Sequence, residues 1–205
     1  MDSHTRTADL RARCEKAMEL FTIGHSDRSL EDFLSLLREF KIQAVADIRR
    51  YPPSSRKFPH FNRQPLHELL TAANIEYYWL EALEGRRFNN KNADSPNTGI
   101  NGMGFRNYAD YMLTAQFRAA LQELLAIAVA RQLAVMCAER LYWKCHRRLL
   151  SDYLVARGIK VKHILELGKV SEHKLTPFAV ATPDSVVTYP LRAYGDRNLK
   201  TLFEV

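Results

Sequence analysis

Five short apolar runs punctuate this 205-residue chain, each ending in polar or charged residues or giving way to them: FTIGHS (21–26), IQAVADIRR (42–50), IEYYWL (75–80), QLAVMCAE (132–139) and KVKHIL (160–165). Runs this short and apolar read as strands covered on both faces, as in a parallel sheet under helices. Helical patterns lie between them. Ser29 stands as a cap before Leu30, Phe33, Leu34, Leu36 and Leu37, which recur at helical spacing. Leu66 to Ala73 reads as a short helix, Tyr108 to Gln132 as one or two, and CHRRLLSDYLVARG as another that Gly158 stops. The alternation predicts an α/β fold: a single three-layer domain with a mostly parallel sheet, Rossmann-like or flavodoxin-like, and helices on both faces. Residues 1–20 then form an N-terminal extension, 21–179 the domain and 180–205 a C-terminal tail, since the pattern weakens beyond Ser171.

Two connections stand out. YPPSSRKFPHFNRQP (51–65) must run extended because its prolines exclude helix, and it mixes Arg56, Lys57 and Arg63 with Tyr51, Phe58 and Phe61. Cations among aromatics suit phosphate contacts with base stacking, or a stiff loop covering the core edge. Residues 84–107 form a long Gly/Asn-rich loop in which Arg86 and Arg87 extend the basic surface.

Composition narrows the function classes. Hydrophobic residues at 46% and charged residues at 26% suit a chain with a sizeable core. No apolar stretch is long enough for a membrane span, and the charged start MDSHTRTADLRARCEKAMEL lacks the apolar region of a secretory signal. Three cysteines do not make a disulfide framework, so a reducing cytoplasm is the expected compartment. The net charge of +7 permits an anionic partner, including a nucleotide or nucleic acid, without requiring one.

In open parallel sheets ligands gather at the carboxyl ends of strands, where the strand order reverses. Here Cys137 and Glu139 end one predicted strand, and Cys145, His146 and Arg147 open the next helix. A helix N-terminus attracts anions and favours a thiolate, and His146 or Arg147 adds to both effects. This reads as an anion site with a nucleophilic thiolate, or as core thiols beside a solvated charge. The same Cys137, Cys145 and His146 are metal-ligand types, with His25 as a fourth. No CxxC knuckle accompanies them, so no cofactor is expected and a transition metal is the alternative. Gly24-His25-Ser26 ends the first strand. Asp47 and Arg49 share a face by alternation, forming an ion pair or binding substrate. Tyr108 belongs to a core stripe with Tyr111 and Met112, or reaches the site.

TIGHS, DIRRYPPSSRKFPHF, LEGRR, DSPNTG, FRNYADYM, MCAERLYWKCHRRLL and HKLTPFA occur in this order over about residues 21–179. In them the chain resembles the DUF488 family, bacterial and archaeal proteins without an assigned activity. The resemblance implies a single α/β domain and places His25, Asp47, Arg49, Arg56, Cys137, Glu139, Cys145, His146 and Arg147 at motif positions. Glu84 departs from the usual LGGRR, and Ile100 and Asn101 replace a tryptophan and a basic residue after DSPNTG.

The leading expectation is an enzyme, a hydrolase or transferase, acting on a phosphate-bearing substrate. Arg49, Arg56 and Arg147, with Ser26, Arg86, Arg87 and Tyr108, would bind it. Asp47 or Glu139 would orient His25 or His146 as acid–base, and Cys145 or Cys137 would be nucleophile. The alternatives are a non-catalytic nucleotide or nucleic-acid binding module and a metal- or redox-linked protein.

Overall fold

In the computed structural model, which describes residues 18–50, 57–87 and 94–191, six strands pair into one sheet. They are β1 (Glu19–Gly24), β2 (Ala44–Asp47), β3 (Glu76–Trp79), β4 (Leu133–Cys137), β5 (Lys160–Glu166) and β6 (Lys169–Glu172), in the spatial order β3-β2-β4-β1-β5-β6. The first five run parallel, and β6 returns antiparallel to β5 through Leu167 and Gly168, the latter at φ +68. A positive φ costs glycine nothing, which suits it to a two-residue hairpin.

Helices α1 (Leu30–Glu39) and α2 (Arg63–Ala72) carry the chain from β1 to β2 to β3, toward one edge of the sheet. Helices α3 (Met103–Tyr111), α4 (Ala115–Ala130) and α5 (Arg147–Ala156) carry it back to β4 and on to β5. Right-handed crossovers made in opposite directions place their helices on opposite faces. Accordingly Phe21, Ile23 and Val45 pack with Phe33, Leu37 and Leu66 on one side. Leu20, Val135 and Val161 pack with Phe117, Leu149 and Leu154 on the other. This is the expected three-layer α/β domain. It is doubly wound, with β4 inserted between β1 and β2.

Local signals set the helix starts. Ser29 Oγ accepts the Asp32 N–H at 3.0 Å and Thr114 Oγ1 accepts that of Phe117 at 3.2 Å, each capping an orphan donor. Ser95 Oγ and Asn97 Nδ2 donate to Asp110 on α3 at 2.6 and 2.7 Å, which anchors the DSPNTG segment. The stretch read as a tail from residue 180 joins the core. A small hairpin, β7 (Val180–Ala181) and β8 (Val187–Thr188), seats Val187 and Tyr189 at full burial. Two isolated buried residues carry no period, so the sequence pattern could not announce them. Among the described residues no single helix is long and apolar enough to cross a membrane.

The position of the site follows from the winding. The chain leaves β1 toward one edge and leaves the adjacent β4 toward the other, so a crevice opens between their carboxyl ends. Side chains alternate along each strand. Thr22, Cys137 and His163 therefore face the α3–α5 layer, and Asp47 faces the α1–α2 layer.

Candidate active site

Gly24 ends β1 in register with Cys137 of β4. A Cβ on Gly24 would lie 1.9 Å from the Glu139 carbonyl oxygen, so only glycine lets the β4–α5 connection cross the end of β1. That connection makes one 3-10 turn over Tyr142–Lys144 and returns Cys145 and His146 beside Cys137. The two sulfurs and a ring nitrogen of His146 lie within 4.8 Å of one another. His146 Nδ1 is 3.5 Å from Cys145 Sγ and 4.0 Å from Cys137 Sγ. Gly85 makes room for the ring: a Cβ there would stand 2.3 Å from His146 Cγ.

Arg147 lies behind the thiols, 1% exposed. Its Nε donates toward Cys145 Sγ at 3.5 Å, Nη1 to Thr22 Oγ1 at 3.3 Å, and Nη2 to the carbonyls of Glu139 and Arg140. Among the described residues the sulfur is the one hydrogen-bond partner of this guanidinium able to carry negative charge. A buried cation requires such a partner. Burial by itself would push the Cys145 thiol up, but the Cys137 hydrogen bond and the His146 and Arg147 charges outweigh it and hold Cys145 well below the usual thiol range. Cys137 moves well upward, through its hydrogen bond to Cys145 and its burial. The pair therefore keeps its proton on Cys137 and its charge on Cys145.

The other half of the crevice is a closed ion pair. Asp47, fully buried, accepts from Arg49 Nε at 2.9 Å and Nη2 at 2.6 Å, and from Tyr77 Oη at 2.7 Å. Of the two readings open for Asp47 and Arg49, the structure realises the ion pair with each other. Arg49 Nη1 donates to His25 Nε2 at 3.0 Å, and His25 Nδ1–H donates to the Ser26 carbonyl at 2.9 Å. His25 also stacks on Phe61 at 4.3 Å between centroids. Burial and the Arg49 charge lower its pKa to about 4, so it is neutral at pH 7 with its acceptor nitrogen occupied. Among the described residues Asp47 is joined to His25 by hydrogen bonds through Arg49.

A cleft of about 1090 Å³ spans both halves. Among the described residues six cationic side chains line it, Arg49, Arg50, Lys57, Arg86, Arg87 and Lys144, against three carboxylates, Asp27, Glu84 and Glu139. Ser26 stands in the cleft wall at φ +50 and donates to Asp27 Oδ1 at 3.1 Å. Glu139 is exposed, and its carboxylate accepts the Leu141 N–H at 3.1 Å, a turn contact on neither histidine. Arg87 lies over the Tyr111 ring at 3.5 Å and within 3.8 Å of Glu84. Tyr108 is fully buried, donating to the Leu83 carbonyl at 3.2 Å, with its ring edge-on to His146 at 5.0 Å. Tyr108 and Arg147, read as substrate contacts, thus back the site and do not line it. Arg56 lies outside the described residues.

Cys137, Cys145 and His146 could together hold a metal. The N···S distances of 3.5 and 4.0 Å lie close to the roughly 3.6 Å that tetrahedral zinc bonds imply. His25 does not join them, because Arg49 holds its Nε2. His146 Nε2 is buried without a hydrogen-bond partner among the described residues. The sequence reading missed Glu84, Thr22 and the groups behind it. Thr22 opens the TIGHS motif, but a threonine within an apolar strand does not stand out as a site residue; its place on the buried face of β1 is the signal that could have found it.

Comparison with curated proteins and with solved structures gave no match. Residues 29–154 match the family described as Domain of unknown function DUF488. That match takes in α1, β4 and the whole Cys137–Arg147 connection, and the chain belongs to the DUF488 family.

Proposed function

We propose that the chain is an enzyme, a hydrolase or transferase, that acts on a phosphate-bearing substrate of the nucleotide or nucleic-acid class, with Cys145 as nucleophile. The observation that carries this reading is the buried Arg147 guanidinium, whose anion-capable partner is the sulfur of Cys145 at the cleft floor. The cationic lining supports an anionic substrate, with Lys57 and Lys144 on the rim.

In the proposed step the Cys145 sulfur lone pair forms a bond to the electrophilic atom of the substrate, and the bond from that atom to its leaving group breaks. The leaving group takes a proton from His146, whose ring lies against both thiols. Water, or an acceptor hydroxyl, then displaces the thiolate and returns a proton to His146. Cys137 donates its hydrogen bond to the resting thiolate. The ion pair of Asp47 and Arg49, with His25, shapes the opposite wall without exchanging protons at pH 7.

The test is a screen of nucleotides and of single-stranded and duplex nucleic acid for turnover, repeated with Cys145→Ser and His146→Ala. Each variant should lower turnover at least tenfold; a turnover that neither lowers refutes the assignment. A binding module built on the same cations instead keeps all function in a Cys137→Ser/Cys145→Ser double variant. Elemental analysis of protein purified without chelator separates a metal-centred reading, which requires close to one equivalent of metal.

A further inference from the structure

Behind Arg147 a line of buried polar groups runs through the layer between the sheet and α5. Asp152 on α5 is fully buried and accepts four hydrogen bonds: the Thr176 N–H at 2.8 Å, Thr176 Oγ1 at 2.7 Å, Tyr189 Oη at 2.9 Å and His173 Nε2 at 2.9 Å. Four donors converge on it, so both carboxyl oxygens act as acceptors. His173 Nε2 therefore bears the proton that Asp152 receives. His173 Nδ1 faces His163 Nε2 at 2.9 Å, and His163 Nδ1 faces Thr22 Oγ1 at 2.7 Å. Thr22 Oγ1 in turn receives Arg147 Nη1.

The proton positions follow from the two ends. Arginine has donors only, so Arg147 donates to the Thr22 oxygen, and Arg147 Nε donates to Cys145. The Thr22 hydroxyl hydrogen is then free to point at His163 Nδ1. With His163 neutral, its Nε2–H points at His173 Nδ1, whose own Nε2–H points at Asp152. Every link donates away from Arg147. Burial above all lowers the His163 pKa to about 2, in agreement with a neutral ring.

The charges balance in the same way. Arg147 and Arg148 are both buried, at 1% and 6% exposure. Arg148 Nε donates to Thr176 Oγ1, itself bound to Asp152. The Asp152 charge thus serves Arg148, which leaves Arg147 to the sulfur. Tyr142 clamps the line, stacking on His163 at 3.5 Å and 10°, and it belongs to the same 3-10 turn that delivers Cys145. A buried network that served only to satisfy its own groups would have no need to end on a sulfur lining a cleft.

We propose that Thr22, His163, His173 and Asp152 form a positioning relay that fixes the Arg147 guanidinium against the Cys145 sulfur. It rests on the reading of Cys145 as the nucleophile, and the unbroken hydrogen-bond line from Asp152 to Arg147 carries it. None of the four touches the cleft; they act through Arg147. Among the described residues the groups facing Cys145 itself are Cys137 from β4, His146 and Arg147 at the start of α5, and Tyr108 from α3.

Cysteine labelled with 13C at Cβ gives the pH at which half of Cys145 is thiolate, by NMR, in the folded full chain. Thr22→Val and His163→Gln should each raise that pH by one unit or more, and Thr22→Ser should restore it. Wild-type protein titrating in the ordinary thiol range overturns both the thiolate reading and the relay. A low wild-type midpoint that neither variant moves overturns the relay alone. Should Thr22→Val fail to fold, His163→Gln and the 15N spectrum of the wild-type histidines carry the test. His163 must appear as the neutral ring protonated at Nε2, and a proton on Nδ1 overturns the relay.

Discussion

Replacing Arg147 by methionine removes the cation beside Cys145 and keeps the bulk of its stem. Two unit charges 3.5 Å apart, at an effective dielectric constant of about 20, attract by about 5 kcal/mol. At 1.36 kcal/mol per pKa unit that is roughly 3 to 4 units, and spreading of the guanidinium charge over its fork brings the working expectation to about 2. Arg147→Met should therefore raise the Cys145 midpoint by about 2 units or more, because burial, which pushes the thiol up, is then less opposed. Arg147→Lys keeps a charge but loses the fork that grips the Glu139 and Arg140 carbonyls, so its shift should be smaller. The pH profile of Cys145 alkylation by iodoacetamide, resolved from Cys137 by peptide mass spectrometry, measures both. Breaking a buried pair costs about 3–5 kcal/mol, so circular dichroism must first show that each variant folds. A folded Arg147→Met protein whose Cys145 midpoint stays within about half a unit of wild type would refute the pairing, and with it the reason for placing the nucleophile there.

The remaining expectations use other contacts. His25 titrates near 4 in the folded chain against 6.5 in the unfolded one, so the unfolded state takes up its proton first as pH falls. The stability that His25 contributes above pH 6.5 is then lost on acidification, by about 2.4 kcal/mol between pH 7 and 4.5. Urea denaturation at pH 7 and 4.5 should show His25→Asn losing less than wild type by about that amount, and equal losses would contradict the burial argument. Gly85→Ala puts a Cβ 2.3 Å from a side-chain ring, so it should displace His146 and cut turnover at least tenfold in a folded protein. Gly24→Ala meets backbone at 1.9 Å and should cost stability, by about 3 kcal/mol or more, in thermal melts. Nucleic-acid binding through the cleft rim should weaken steeply with salt, and Lys57→Ala/Lys144→Ala should flatten a plot of log affinity against log salt by about 2 in slope. An unchanged slope removes these two residues from the interface.

The order of short apolar runs and amphipathic stretches was enough to specify a doubly wound α/β domain, because strand and helix periods are local and burial reads them directly. It also placed His25, Asp47 and Cys137 at strand ends and Cys145 at a helix start, since they interrupt otherwise apolar or helical patterns there. Tertiary structure decided what those groups do. Alternation along β2 offered either an ion pair or a substrate contact for Asp47 and Arg49, and their distances make it the ion pair, with His25 locked to it. Arg147 looked like a cation free to meet a substrate, yet it points inward, because only the closed crossing of β1 by the β4–α5 connection supplies the carbonyls, the hydroxyl and the sulfur that hold it. Thr22 meets His163 across 141 residues of chain and Arg147 across 125 only because α5 packs over β1 and β5. A contact between residues so far apart leaves no period and no spacing to read. It exists only once the chain has folded.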